Sequence, residues 1–347
     1  MVLDAQYLEI LMTEKILIIQ TAFLGDAILT LPLIQYVKKQ NSDSLVDVIA
    51  IPSTKEIFAN SPSVNSVIVL DKKSKHNSFR SLLKFVKELR KHNYSKVISP
   101  HRSFRTSLIV ALLGVKDSTG FDKAAISFVY KNKVKHEWND HEVLRNLKLA
   151  DFVGSDWKIK PEINSTEECK KRINEILINY NLQNFIIIAP GSVWFTKAYP
   201  LEKYAEVANH FIKNKYKIVL IGGENEKLLC KSLELLSDGE VVNLTGRLTL
   251  TESIELMRYS QLVICNDSAP THMGMSADIP VLTIYCSTVP EFGFYPYNEK
   301  SKYLSFNDLK CKPCGIHGKT QCPIKTFECA EKLEPKTIIE TALKMIS

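Results

Sequence analysis

At 347 residues, with 45% hydrophobic and 24% charged residues, the chain has the composition of a folded protein of about two domains, not of a disordered one. Its 45 Lys and Arg against 38 Asp and Glu give a net charge of +7, an excess that suits phosphate-bearing ligands or an anionic membrane surface and equally an ordinary solvated surface. No apolar stretch approaches the ~20 residues of a membrane span, and no zinc-finger, RRM-like or basic-helix pattern points to nucleic acid.

In chain order, Met1 to Glu14 carries Asp4, Glu9 and Glu14 and lacks the basic and apolar regions of a secretory signal, so a cytoplasmic protein is expected. Met12-Thr-Glu-Lys-Ile-Leu places a strand directly after a methionine, so translation is expected to start at Met12 with the preceding residues dispensable. Lys15 to Gln20 reads as a short apolar strand and Asp26 to Gln40 as an amphipathic helix. Strands follow at Val46 to Ile51, Val67 to Leu70 and Lys96 to Ser99, with helices at Ser78 to His92, Phe104 to Leu113 and His141 to Val153. The polar stretch Gly154 to Pro161 reads as a linker. The pattern then restarts with strands at Phe185 to Ala189, Lys217 to Ile221, Leu262 to Cys265 and Val281 to Tyr285. Helices are expected at Leu201 to Asn214, at Glu224 to Leu236, and from the capping box Thr249 to Glu252 as far as Arg258. Apolar strands alternating with helices indicate parallel sheets covered on both faces. The expected fold class is α/β, two Rossmann-like domains spanning 1–157 and 158–347, with the last helix, 335–346, packing back on the first. Ligands are expected in a cleft at the carboxyl ends of the strands.

Three segments carry chemistry. In Thr21-Ala-Phe-Leu-Gly-Asp26, Asp26 stands at a strand-to-helix turn, where it reads either as an N-cap or as a general base for an attacking hydroxyl. In Pro190-Gly-Ser192-Val-Trp-Phe-Thr-Lys197, backbone N–H groups, the Ser192 hydroxyl and the Lys197 charge suit a phosphate, although an ordinary loop is an equal reading and the Walker ending is missing. In Asn266-Asp267-Ser268-Ala269-Pro270-Thr271-His272 a strand runs into a helix N-terminus that favours anions, while Asp267 suits sugar hydroxyls and His272 is either a packing or a site residue.

Taken in order over most of the chain, these segments resemble glycosyltransferase family nine, the ADP-heptose:lipopolysaccharide heptosyltransferases. Pro100 to Arg105, Gly120-Phe121 and His141-Glu142-Val143-Leu-Arg145-Asn146 resemble its second-heptose, heptosyltransferase II-like subgroup. The resemblance implies a GT-B fold and a metal-independent, inverting transfer of heptose from ADP-heptose to the inner core of lipopolysaccharide. It implies an acceptor-binding first domain and a nucleotide-sugar-binding second. It implies Asp26 as the base, and Ser192, Lys197, Glu226, Leu248, Asp267, Ser268, Ala269 and His272 as donor contacts. His101, Arg102 and Arg105, with Lys131, Lys133 and Lys135, are expected to meet an anionic lipopolysaccharide-core acceptor and the inner face of the inner membrane. The chain departs from the family pattern at Ala269, where glycine is usual, at Val193 in place of a hydroxyl residue, and in lacking a histidine after Asp26. The alternatives are another nucleotide-sugar transferase, a nucleotide-sugar 2-epimerase on the same fold, and a non-catalytic nucleotide-binding protein.

Cys311, Cys314, Cys322 and Cys329 have spacing compatible with a structural zinc site or with free, packed thiols. No cofactor is expected to be required for catalysis.

Overall fold

A computed structural model of the chain describes residues 14–347, and the expectation about a start at Met12 lies outside the described residues. The chain divides into two compact units between Asn164 and Ser165, seven residues beyond the boundary expected at 157.

In the first unit, short runs of branched apolar residues form the central strands β1, β2 and β4, which are mostly buried, while the edge strands are more exposed. The strands are β1 (Lys15–Ile19), β2 (Leu45–Ala50), β3 (Ser66–Val69), β4 (Lys96–Ser99), β5 (Asp117–Phe121) and β6 (Asn132–Val134). They make a parallel sheet in the order β3-β2-β1-β4-β5-β6. Among the described residues five α-helices accompany them: α1 (Leu24–Gln40), α2 (Lys55–Ala59), α3 (Phe79–Arg90), α4 (Phe104–Leu113) and α5 (Glu142–Lys148). On one face Leu17, Ile19 and Val97 pack with Phe85 and Leu89 of α3 and with Ile109 of α4. On the other, α1 packs along α5, and Asn146 Nδ2 donates to the Leu29 carbonyl at 3.1 Å.

The second unit repeats the topology. Its strands are β7 (Phe185–Ala189), β8 (Lys217–Leu220), β9 (Val241–Asn243), β10 (Leu262–Asn266), β11 (Val281–Tyr285) and β12 (Lys302–Ser305). They pair in parallel in the order β12-β11-β10-β7-β8-β9. Read from its first strand, each sheet has the 3-2-1-4-5-6 order of the dinucleotide-binding folds. Helices α6 (Glu167–Asn179), α7 (Leu201–Lys213), α8 (Lys227–Leu236), α9 (Leu250–Met257), α10 (Ala269–Ala277), α11 (Glu328–Glu331) and α12 (Pro335–Ile346) surround it. Ile338 and Ala342 of α12 are fully buried in the second unit's core with Phe211 of α7, which satisfies the apolar stripe of α12 locally.

Among the described residues no helix is long and apolar enough to cross a membrane.

Candidate active site

In an open parallel sheet, the crevice lies where adjacent strands send their connections in opposite directions. Here those places are the carboxyl ends of β1 and β4 in one unit and of β7 and β10 in the other.

In the first unit the loops after β1 and β4 are tied together. Thr21 Oγ1 lies 2.8 Å from His101 Nδ1, and that nitrogen is also 3.0 Å from Thr106 Oγ1. Burial first, and then the charges of Lys72 and Arg102, push His101 down to about 4, so it is neutral at pH 7 and serves as a hydrogen-bonding spacer. Lys72, which sequence reasoning missed, donates to the Thr21 carbonyl at 2.6 Å. Asp26 is half-buried and is the third residue of α1, while the N-cap position belongs to Phe23, which gives no side-chain cap. This corrects the N-cap reading. A carboxylate in the first turn is still favoured by the helix dipole.

Arg102 stands among carboxylates. Burial lowers its affinity for the proton, and the charges of Glu142, Asp26 and Asp122 oppose that. Its guanidinium carbon lies 5.4 Å above the Trp138 ring centre. Glu142, the first residue of α5, accepts from Arg145 Nε at 2.7 Å. Its pKa rises to about 7, chiefly through burial, with Arg145 opposing and the Asp26 charge adding. Arg145 also donates to the carbonyls of Glu137 and Trp138 at 3.4 and 3.3 Å. The structure therefore brings Asp26, Arg102 and Glu142 into one electrostatic cluster. Glu142 and Arg145 were readable as an i, i+3 pair on one helix; Asp122, just after β5, and His136 and Trp138, just after β6, come from two connections with no sequence signal. Arg105 lies apart in role, donating to the His76 carbonyl at 2.9 Å.

In the second unit, Lys197 Nζ meets Asp267 Oδ2 at 2.6 Å, and Thr288 Oγ1 donates to the same oxygen at 2.7 Å. Asn266 secures the neighbouring loop: its Nδ2 donates to the Pro190 carbonyl at 2.7 Å, and its Oδ1 accepts from Tyr199 N and Tyr204 Oη, each at 3.0 Å. The Ser192 hydroxyl accepts from Trp194 N at 3.3 Å. Ser268 is the N-cap of α10 without a side-chain cap, and Pro270 follows in the first turn, an arrangement open to an anion. Ala269 begins α10 in ordinary helical backbone, so alanine costs no strain there. His272 lies in that helix, buried, with Nδ1 lacking a hydrogen-bond partner. Burial, with Lys197 nearby, pushes it down to about 3, which keeps it neutral.

Glu226 lies past the end of β8, the second strand of its sheet, where dinucleotide folds place the acid that binds ribose. Its Oε2 accepts from Gly223 N at 2.7 Å. A Cβ on Gly191 would stand 1.6 Å from Glu226 Oε1, so only glycine lets this carboxylate reach the Pro-Gly-Ser loop. Leu248 is half-buried next to Thr249, the N-cap of α9.

The four terminal cysteines line one cavity of about 380 Å³ together with Thr196 and Ser287. Among the described residues no three His, Cys, Asp or Glu side chains converge to hold a metal ion, so as placed the thiols follow the packed-thiol alternative.

Two doubly wound units of this order, with these acid, guanidinium and lysine groups at their switch points, have the architecture of a GT-B glycosyltransferase. Residues 82–325 match the family model described as glycosyltransferase family 9 (heptosyltransferase), and the chain belongs to that family. It is 28% identical over 294 residues to lipopolysaccharide heptosyltransferase 1 of Campylobacter coli, covering 79% of this chain and 84% of the relative. It is 26% identical over 337 residues to lipooligosaccharide heptosyltransferase 2 of Campylobacter jejuni subsp. jejuni serotype O:2, covering 96% and 98%. The solved family 9 glycosyltransferase of Veillonella parvula DSM 2008 shares the fold with a TM-score of 0.84 at 22% identity, covering 96% of this chain and 97% of that one.

Proposed function

We propose that this protein moves heptose from ADP-heptose to an anionic sugar of the lipopolysaccharide inner core, with inversion and without a catalytic metal. The observation that carries the reading is the Lys197–Asp267 pair at the N-terminus of α10. It offers a cation and helix N–H groups to a diphosphate, and a carboxylate to sugar hydroxyls, within one short segment.

In this reading Asp26 takes the proton from the acceptor hydroxyl. The freed oxygen attacks the anomeric carbon as the bond to the diphosphate breaks, and a single displacement inverts that carbon. Negative charge on the departing ADP is met by Lys197 and the N-terminus of α10, the electrostatic work that dominates such steps. Ser192, Ala269 and the neutral His272 belong to the phosphate end, with Glu226 and Leu248 at the nucleoside. His101, Arg102 and Arg105 belong to the acceptor side, where Arg102 takes the acceptor's anionic group and the other two hold the loops around it. Such an acceptor is lipid-linked, so the enzyme works in the cytoplasm at the inner membrane surface. The cysteines stay outside the chemistry, and a structural ion among them would need their loop to close on it.

The test offers pure protein a panel of ADP- and UDP-sugars with and without heptose-accepting core fragments, in EDTA. Transfer only from ADP-heptose, with the anomeric configuration inverted, is expected. Donor conversion without acceptor identifies an epimerase instead, and activity lost in EDTA and restored by magnesium or manganese removes the metal-free mechanism. Metal analysis of the purified protein decides whether the thiols hold an ion.

A further inference from the structure

The segment from Cys311 to Cys329 follows β12 and holds none of the residues given a role in transfer. It is nevertheless bound directly to the loop that carries Lys197. Thr196 N donates to the Lys319 carbonyl at 3.1 Å, and Lys319 N donates back to Thr196 Oγ1 at 2.8 Å. The same hydroxyl oxygen accepts from Ser287 Oγ at 2.9 Å, and Ser287 in turn accepts from Cys314 N through its carbonyl at 2.9 Å. Thr196 is 1% exposed, so these bonds form away from competing water. At the far end of the segment the Phe327 ring stacks on Phe195, with centroids 5.1 Å apart. Between these anchors Gly318 has φ +78°, and a Cβ built there would sit 3.0 Å from both Cγ of Lys197 and Oγ1 of Thr196.

This contact lies on the aliphatic stem of the lysine. A lysine held by its head alone keeps much of its rotamer freedom, which a bound anion must then remove. A stem confined by packing loses that freedom before the anion arrives, and affinity rises by preorganisation. The Lys197 side chain is only 15% exposed, and its ammonium already rests on Asp267.

We propose that residues 311–329 form a positioning strap for the donor-diphosphate lysine, with Thr196 and Gly318 as positioning residues that act through Lys197. The inference rests on the role of Lys197 given under Proposed function. It also gives the cysteine-lined cavity a place in the design: the cavity lies between the strap and Thr196, so the thiols form the strap's inner wall.

The experiment measures donor KM, kcat and thermal midpoint for Thr196→Val, Thr196→Ser, Gly318→Ala and Lys197→Ala, and for Thr196→Val combined with Lys197→Ala. Loss of the hydroxyl's hydrogen bonds should raise donor KM about five- to tenfold in Thr196→Val. Thr196→Ser keeps both bonds and restores KM. Gly318→Ala should raise KM by a similar factor through its strained φ and its push on the lysine stem. In the Lys197→Ala background Thr196→Val should add nothing to donor KM, because its effect travels through the lysine. Lys197→Ala leaving donor KM unchanged would refute the role of Lys197 itself. If Lys197→Ala raises KM while Thr196→Val and Gly318→Ala leave it within about twofold, or change only the thermal midpoint, the strap is structural alone and the inference falls.

Discussion

Asp26 illustrates how an adjacent residue changes the meaning of a helix start. A sequence reader sees Gly25-Asp26 before an apolar run and expects a cap, yet α1 begins at Leu24 with Phe23 as N-cap. The amide of Asp26→Asn keeps the size of the carboxylate and one acceptor oxygen, so the fold should persist with an unchanged thermal midpoint. Turnover should fall about 10²–10⁴-fold, the usual worth of a general base, while calorimetric ADP-heptose affinity stays near normal. Near-normal turnover of this variant would return Asp26 to a structural role. The surroundings of Arg102 show what a sequence leaves hidden. The segments that carry Asp26, Lys197 and Asp267 were legible as strand-to-helix turns. The connections after β5 and β6, which bring Asp122, His136 and Trp138 beside Arg102, have no periodicity, and only folding places them there.

Buried titratable residues also set a direction for acid stability. His272 and His101 are held at about 3 and about 4 in the fold, against an ordinary value near 6.5. Between those values the unfolded chain binds more protons than the native one, so their contribution is complete above pH ~6.5 and is lost as pH falls through about 4 for His101 and about 3 for His272. Glu142 works the other way. Its pKa of about 7 lies above its unfolded value, so its burial costs stability as pH rises from about 4.5 through 7. The thermal midpoint should therefore drop on acidification from pH 7 to 5. Glu142→Gln should make that drop steeper by removing the opposing contribution. Equal slopes in the two proteins would show that Glu142 titrates normally.

At the level of elements, the readable strands were those whose side chains are branched, apolar and buried on both faces, such as β1, β7 and β10. β5 was missed although it is an inner strand, because its sequence is Asp-Ser-Thr-Gly-Phe. The reason is local: the Tyr130 ring lies where a Gly120 Cβ would be, only 2.6 Å away, and covers the strand in place of its own side chains. Strands β3, β6, β9 and β12 lie at sheet edges, and β6, β9 and β12 are too short and polar to announce themselves. The last helix was legible as a helix from its apolar stripe. Its burial in the second core gives a sharp expectation. Ile338→Ala should cost about 2–5 kcal/mol by leaving a cavity against Phe211 and its neighbours. Chemical denaturation should locate that loss in the C-terminal unit. A cost below about 1 kcal/mol would mean that α12 does not seal that core.

Across the whole molecule, two sheets of one topology carry different chemistry, and the excess of positive charge is spread unevenly along the chain. Lys131 and Lys133 are exposed beside and on β6, an edge strand of the first sheet, while Lys135 is paired with Glu137 at 2.6 Å. Lysines on a strand edge have an ordinary use, which is to discourage pairing with another chain. The proposed lipid-linked acceptor suggests a second one, because each basic residue near an anionic leaflet contributes about 1 kcal/mol of attraction. The two uses predict different results for Lys131→Ala combined with Lys133→Ala. If the lysines meet the membrane, the wild-type protein cosediments with phosphatidylglycerol-containing vesicles at low salt and is released as salt screens the charges. The double variant should then bind about thirtyfold more weakly while remaining monodisperse. If they only guard the edge, vesicle affinity should not change and the variant should self-associate in light scattering. Activity on a soluble core fragment should be equal in both proteins, which separates membrane contact from transfer itself.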